Sequence, residues 1–132
     1  PAIEKSLMRT LKITVGGIVI RAQLKNTPTA DALWKAAPFA SKARTWGDEV
    51  YFDTPVSVKR EKDARDVVAA GELAFWVEGD AIAIGFGPTP ISQGNEIRLA
   101  APTNIWATTP DDVKALKPVR AGAPIAVEKL EG

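Results

Sequence analysis

The chain has 132 residues, of which 45% are hydrophobic and 25% are charged. These proportions are typical of globular proteins and fit one domain over residues 1–132, and they exclude disordered, collagenous and fibrous classes. The 17 Lys and Arg residues nearly balance 16 Asp and Glu residues, so the chain lacks the positive field of a nucleic-acid-binding protein. Neither Cys nor His occurs, which excludes disulfides, thiolate nucleophiles, Cys/His metal sites and imidazole catalysis.

Residues 1–11 carry Glu4, Lys5 and Arg9 and form no continuous apolar segment of the kind found in signal peptides. The longest apolar run, residues 81–88, is interrupted by glycine and is far shorter than the ~18 residues of a membrane span. We therefore expect a soluble, cytoplasmic protein with no membrane partner.

Alternating apolar residues predict strands over residues 9–16 and 18–24, joined by a Gly16-Gly17 hairpin turn. Thr27-Pro28 has the pattern of an N-cap followed by proline at the first helical position, and it predicts a short helix that ends near Pro38. Strands follow from residue 46, including a hairpin of residues 72–77 and 80–87 that turns at Glu78-Gly79.

The last third of the chain begins with a rigid loop at residues 87–90, which contains two prolines. A strand at 97–107, a helical turn at 110–116 and a closing strand at 124–127 follow, whereas the charged segment 59–66 is predicted to be a solvated loop. About eight short strands with one or two short helices indicate a mainly β fold, an eight-stranded closed barrel.

In three of these strands, apolar residues occupy every second position. Because these positions share one face of the predicted sheet, they predict which side chains point into the barrel. The predicted core residues are Val50, Phe52, Leu73, Phe75, Ile82, Ile84 and Phe86.

The first candidate binding surface is on the strand that carries Val50 and Phe52, on the face that points away from the core. Glu49 and Tyr51 should point outward together there, and Trp46 enters from the preceding turn. A carboxylate and a phenol could orient a ligand by hydrogen bonds while the indole supplies an apolar wall. The alternative to a binding site is a structural role, in which these side chains form a cross-strand pair next to a turn. Oxygen-only metal binding by neighbouring carboxylates lacks the alternating loop pattern that it needs, so we predict no metal and no cofactor.

A second unusual surface lies opposite the core on residues 81–87, where the side chains are only hydrogen atoms or methyl groups (Ala81, Ala83, Gly85 and Gly87). Such small side chains indicate that another segment of the chain, or a ligand, packs closely against this surface. It is either the helix that carries Leu33 and Trp34 or a ligand or peptide that lies across the sheet. Trp76 also points away from the core, where it is either covered by a helix or exposed for binding.

Four segments, in this order, resemble the small prokaryotic cyclophilin-like proteins: residues 27–34 (TPTADALW), 45–52 (TWGDEVYF), 71–76 (GELAFW) and 85–90 (GFGPTP). The resemblance covers nearly the whole chain. It implies an eight-stranded cyclophilin-type barrel capped by a helix, in a family whose biochemical role is largely unassigned.

Prolyl isomerases of this fold carry a Phe-His-Arg segment, a downstream Gln-Gly-Gly-Asp and a histidine that contacts the ligand. The corresponding segment here is residues 39–44 (FASKAR), no Gln-Gly-Gly-Asp follows, and Arg44 is the nearest counterpart of the catalytic arginine. These departures argue against an enzyme, and prolyl isomerase is the activity to expect if there is one.

We therefore expect a barrel that binds a small molecule or an extended peptide in a surface groove without isomerase activity. The residues predicted to border the groove are Trp46, Glu49, Tyr51, Trp76, Thr89 and Pro90. A weak prolyl isomerase and a docking module that uses the Trp76 face are the alternatives. A concavity shared by Trp46 and Trp76 would favour the ligand-binding barrel, and a flat apolar patch the docking module.

Overall fold

The computed structural model describes residues 9–130. The strands are β1 (Thr10–Val15), β2 (Ile18–Leu24), β3 (Phe39–Lys42), β4 (Arg44–Thr45), β5 (Glu49–Asp53), β6 (Arg65–Val68), β7 (Glu72–Trp76), β8 (Ala81–Gly85), β9 (Ile97–Thr108) and β10 (Pro124–Leu130). Helix α1 (Pro28–Ala36) follows β2, and 3-10 turns occupy Val77–Gly79 and Val113–Leu116. The prediction of no signal peptide in residues 1–11 falls mostly outside the described residues. No helix within the described range is long and apolar enough to span a membrane.

The strands form one antiparallel sheet in the order β3-β10-β1-β2-β9-β7-β8-β5-β4, and β6 pairs with β9 beside this path. Its two end strands, β3 and β4, are separated in sequence only by Ala43, so one run of chain belongs to both edges. Ala43 donates its N–H to the carbonyl of Ala123 at 2.8 Å and accepts the N–H of Gly122 at 2.8 Å. The sheet therefore curves into a nearly closed barrel, which leaves few unpaired edge groups.

The predicted mainly β barrel with a short helix is confirmed. Ten strands are present among the described residues where eight were expected. The run around Ala43 divides into β3 and β4, and β6 is a short addition to the first part of β9.

The predicted Gly16-Gly17 hairpin joins β1 and β2, which pair antiparallel in register. On its other side β1 pairs with β10, and the pairing begins with Thr10 opposite Leu130. The first and last described strands are thus neighbours in the sheet.

Helix α1 covers one end of the barrel. Thr27 is its N-cap and accepts the N–H of Ala30 at 3.1 Å, while Pro28 fills the first turn, where no N–H partner is needed. Ala30 and Leu33 are fully buried in the interior core. The helix therefore packs on the barrel interior and does not cover the small-residue face of β8, which was one of the two possibilities for that face.

The barrel interior contains the predicted core. Leu73 lies opposite Ile84, and Phe75 lies opposite Ile82 across the β7–β8 hairpin, so the predicted phases are correct. All seven predicted residues are buried in one cluster, namely Val50, Phe52, Leu73, Phe75, Ile82, Ile84 and Phe86. Trp106 of β9 adds the largest buried ring, and its indole N–H donates to the carbonyl of Ala74 at 3.2 Å.

Strand β9 is bent, and its two parts have different partners. Its first part pairs with β6, while its second part pairs with β7 and β2. The β6 pairing jumps from Arg98 opposite Val67 to Thr103 opposite Arg65, so residues 99–102 of β9 bulge out. Pro102 lies in this bulge, as expected for a residue that has no N–H to donate to a ladder.

The bent half of β9 covers the small-residue face of β8. Ala83 is buried there in a second apolar cluster, composed of Val68, Ala74, Ala83, Ile97, Leu99 and Ile105. A Cβ atom at position 85 would overlap Cγ2 of Ile97, which explains the glycine. The close approach predicted from the sequence is real, and β9 makes it. We call this group the outer cluster.

The charged segment 59–66 is anchored to the barrel and is therefore more than a solvated loop. The buried amide of Asn104 donates to the carbonyl of Lys59 at 2.9 Å and to the hydroxyl of Thr29 at 3.0 Å. It accepts the N–H of Glu61 at 2.8 Å, and the Glu61 carboxylate accepts the Thr29 hydroxyl at 2.6 Å. The sequence gives no sign of this network, because Thr29 and Asn104 are 75 residues apart.

Candidate functional site

A partly open cavity of about 320 Å³ lies on the outer face of the barrel, beside the outer cluster. This volume is at the lower end of the roughly 300–1,000 Å³ typical of small-molecule pockets. The cavity is lined by Trp46, Glu49, Tyr51, Trp76, Ala83, Leu99, Ala100, Ala101 and Thr103. We call it the aromatic cavity.

The turn between β4 and β5 places Trp46 at the cavity. Gly47 has φ +59°, a left-handed conformation that favours glycine. A Cβ atom there would lie 2.8 Å from Cδ of Pro90 and 2.9 Å from Cα of Thr89, so the turn packs tightly against the 88–90 loop. The N–H of Asp48 donates to the carbonyl of Pro88 at 3.0 Å, which ties the same two segments together.

Glu49 is the charged group of the aromatic cavity. It lies on the outer face of β5 as predicted, yet only 6% of it is exposed, because the bent half of β9 covers this face. Its carboxylate has no hydrogen-bonding or ion-pair partner within residues 9–130. Burial raises the pKa of Glu49 to about 7. Such a carboxyl can hold or release a proton near neutral pH, a property typical of functional sites.

Two more aromatic rings line the cavity. Tyr51 lies two residues after Glu49 on the same face of β5, and Trp76 ends β7. Their ring centroids are 6.4 Å apart and their planes meet at 83°, an edge-to-face arrangement. Gly79 lies directly under the Trp76 ring, where a Cβ atom would overlap the six-membered ring. The 3-10 turn after β7 thus holds this ring in position.

The opposite wall comes from the bulge of β9. It contributes Leu99, Ala100 and Ala101, and Thr103 follows directly after the bulge; none of the four was predicted as a site residue. The sequence does carry a signal for them, since a proline inside an otherwise regular strand marks a bulge, and small residues precede it. The spacing along the chain did not indicate that this bulge would lie across the cavity from β5 and β7.

Four of the six predicted site residues therefore share one cavity: Trp46, Glu49, Tyr51 and Trp76. The other two predicted residues, Thr89 and Pro90, do not line this cavity. Thr89 is buried, and its hydroxyl donates to the carbonyl of Arg98 and contacts Ser92. The stiff loop lies under the Gly47 turn and supports Trp46 from behind.

Arg44, the nearest counterpart of an isomerase arginine, is half-exposed on β4 and outside the aromatic cavity. It forms an ion pair with Asp53, and its guanidinium carbon lies 5.3 Å from the centroid of the Tyr51 ring. The pKa of Arg44 is raised by the hydrogen bond to Asp53 and by the charge of that carboxylate. Within residues 9–130, no group of three or more potential metal ligands is close enough to hold a metal ion.

The whole chain was compared with known proteins. A family model described as cyclophilin-like matches residues 9–128. A hypothetical protein from Archaeoglobus fulgidus, known from a solution structure, is 35% identical, with 94% of this chain and 96% of that chain covered and a TM-score of 0.81. A search of curated proteins finds no match. With a family match over nearly all of its strands and a relative that shares its barrel, this chain belongs to the cyclophilin-like family.

Proposed function

We propose that this barrel, a single domain over residues 1–132, binds a small organic molecule in the aromatic cavity and does not catalyse prolyl isomerisation. The observation that carries the proposal is Glu49, a residue only 6% exposed, whose carboxylate has no partner among the described residues and lines a partly open cavity walled by aromatic and aliphatic side chains. Partial removal of an unpaired carboxylate from water costs free energy, so this arrangement does not serve stability. A ligand that pairs with the carboxylate would offset that cost.

The shape of the cavity favours a small molecule over an extended peptide or a docked protein. Trp76 and Trp46 line the same concavity, whereas a docking module would present a flat apolar patch around Trp76. The bulge of β9 forms a wall on one side, which limits the length of chain that could lie across the sheet. A few fixed polar groups in an otherwise apolar concavity is the usual composition of a small-molecule site.

The case against isomerase activity rests on the groups that the reaction needs. Rotation about a peptide bond has a barrier of about 18–20 kcal/mol, and lowering it requires a positioned donor in a desolvated pocket. Arg44 is half-exposed and paired with Asp53, and the chain has no histidine. We expect no turnover above background in a protease-coupled assay on a proline tetrapeptide. Turnover that the Arg44→Ala variant abolishes would contradict this part of the proposal.

Binding is tested with the neutral dye N-phenyl-1-naphthylamine, whose fluorescence rises in apolar pockets. We expect saturable enhancement with the unmodified protein and its loss in Ala101→Phe, which fills the cavity. Ala115→Phe is the matched control, because it makes the same substitution at an exposed position on the turn after β9. Equal enhancement in Ala101→Phe, or none in the unmodified protein, would contradict binding in this cavity.

A further inference from the structure

The aromatic cavity has the chemistry of a cage for an organic cation, and we infer that its ligand is a small molecule that carries an alkyl-substituted ammonium group. This inference rests on the proposed function, since it names the ligand class of the same site. Three features of the cavity carry it: the rings, the unpaired carboxylate and the aliphatic wall.

The rings provide the attraction for a cation. Trp46, Tyr51 and Trp76 all line the cavity, and the last two are in contact edge to face. A cation that sits against ring faces is attracted by their negative charge, and indole is the strongest such partner. The guanidinium of Arg44, which does not line the cavity, already lies over the Tyr51 ring.

Glu49 provides the charge that selects a cation over a neutral ligand. Among the described residues, no Lys or Arg lines the cavity, so the carboxylate faces no protein counterion there. A neutral ligand would leave the carboxylate unpaired or require it to take up a proton, and an anionic ligand would be repelled by it. A ligand cation supplies the missing partner.

The aliphatic wall determines what kind of cation fits. Ala83, Leu99, Ala100 and Ala101 offer methyl and methylene groups but no hydrogen-bond acceptors from their side chains. A bare ammonium is compact and strongly hydrated, and it would exchange its water here for few acceptors, namely the Glu49 carboxylate and the hydroxyls of Tyr51 and Thr103. Alkyl groups on the nitrogen replace that hydration shell and pack against the wall.

The protonation of Glu49 gives the binding a predictable pH dependence. Burial is the cause of its raised pKa, and a bound cation favours the ionised form. The charged groups on the adjoining strands are already paired with one another, as Arg44 with Asp53 and as Arg98 with Glu96 and Asp66. Cation affinity should therefore fall as the pH drops below about 7, approaching tenfold per pH unit.

The test compares two cations, choline and benzyltrimethylammonium, with 3,3-dimethyl-1-butanol, the neutral isostere of choline, by calorimetry and by displacement of the naphthylamine dye. We expect at least one cation to bind, with choline at least ten times tighter than its isostere if choline is that cation. Binding should weaken at least tenfold in Glu49→Gln. Glu78→Gln is the matched control, because it removes the same charge from an exposed site.

The outcomes separate this inference from the proposed function. If the isostere binds as tightly as choline, or if the dye binds and neither cation displaces it, the ligand is not a cation, although the cavity still binds small molecules. If the dye does not bind either, the proposed function itself fails. Should Glu49→Gln not fold, the comparison of choline with its isostere on the unmodified protein decides, since equal affinities overturn the inference.

Discussion

The same sheet has an apolar cluster on each of its faces, and the two differ in how completely they are filled. The interior core is enclosed by the curved sheet and by helix α1, and its large side chains are fully buried. Among the described residues, the outer cluster is covered by the bent half of β9 and by β6, and the aromatic cavity opens beside it. A closed barrel fills its inside for stability, whereas a single bent strand over its outside leaves space that a ligand can use.

The largest expected effect in this comparison of the interior core with the outer cluster is that of Phe75→Ala, in the interior. Phe75 is fully buried at the centre of the core, and the removal of a buried phenyl ring costs about 3–5 kcal/mol in lost transfer energy and cavity formation. We expect the free energy of unfolding in urea to fall by that amount. Val19→Ala, at an exposed position on β2, should change it by less than about 0.5 kcal/mol. Similar small effects from both variants would mean that the interior is not the main source of stability.

On the outer face, the largest expected effect is a pH dependence from Glu49. Its pKa is about 7 in the folded protein against 4.5 in the unfolded chain, so the folded state holds more protons between these values. The stability contribution is complete below pH 4.5 and is lost as the pH rises through about 7. The loss amounts to about 3 kcal/mol, since each pKa unit corresponds to about 1.4 kcal/mol.

The measurement is the free energy of unfolding from pH 5 to pH 8, for the unmodified protein and for Glu49→Gln. The chain has no histidine, and the carboxyls with lowered pKa, among them Glu72 and Asp111, are already ionised in this range. The variant should therefore show a nearly flat profile. A profile that falls equally in both proteins would assign the titration to another group.

The smallest of the three effects is expected for Leu99→Ala. Leu99 is buried in the outer cluster but also lines the open cavity, so its neighbours can relax into the space that it leaves. We expect a loss of about 2 kcal/mol in the free energy of unfolding, clearly less than for Phe75→Ala. The variant should also admit larger dyes than naphthylamine. A loss as large as that of Phe75→Ala would mean that the outer cluster is packed as tightly as the interior.

The fold could be predicted from the sequence because its signals are local. Alternation identified both strands of the β7–β8 hairpin and their inward residues, and Thr27-Pro28 identified the start of α1. Local signals could not predict which strands that are distant in sequence pack against each other. Nothing near Ala83 indicates that Ile97 and Leu99 will cover it, and the helix, one of the two possibilities for that cover, does not provide it.

The site shows the same limit. Strand alternation placed Glu49 and Tyr51 on one face, and the phase of Trp76 put it on the outer face of a neighbouring strand. Burial of Glu49 depends on the β9 bulge, which lies about fifty residues further along the chain, so its raised pKa had no local signal. Thr89 does not line the cavity for the converse reason, because the rigid loop turns its hydroxyl toward the backbone of Arg98.

The pairing of β1 with β10 bears on how the chain can be rearranged. Thr10 lies opposite Leu130, and Cα atoms of paired residues are about 4.5–5.5 Å apart, so a linker of about 2–5 residues joins the two ends. The chain can then be opened at the exposed Gly16-Gly17 turn, which makes β2 the first strand and β1 the last. Such a circular permutation leaves residues 46–103, and with them every wall of the aromatic cavity, on one uninterrupted segment. Reporter domains fused at the new termini would thus be joined to the chain outside the segment that forms the cavity.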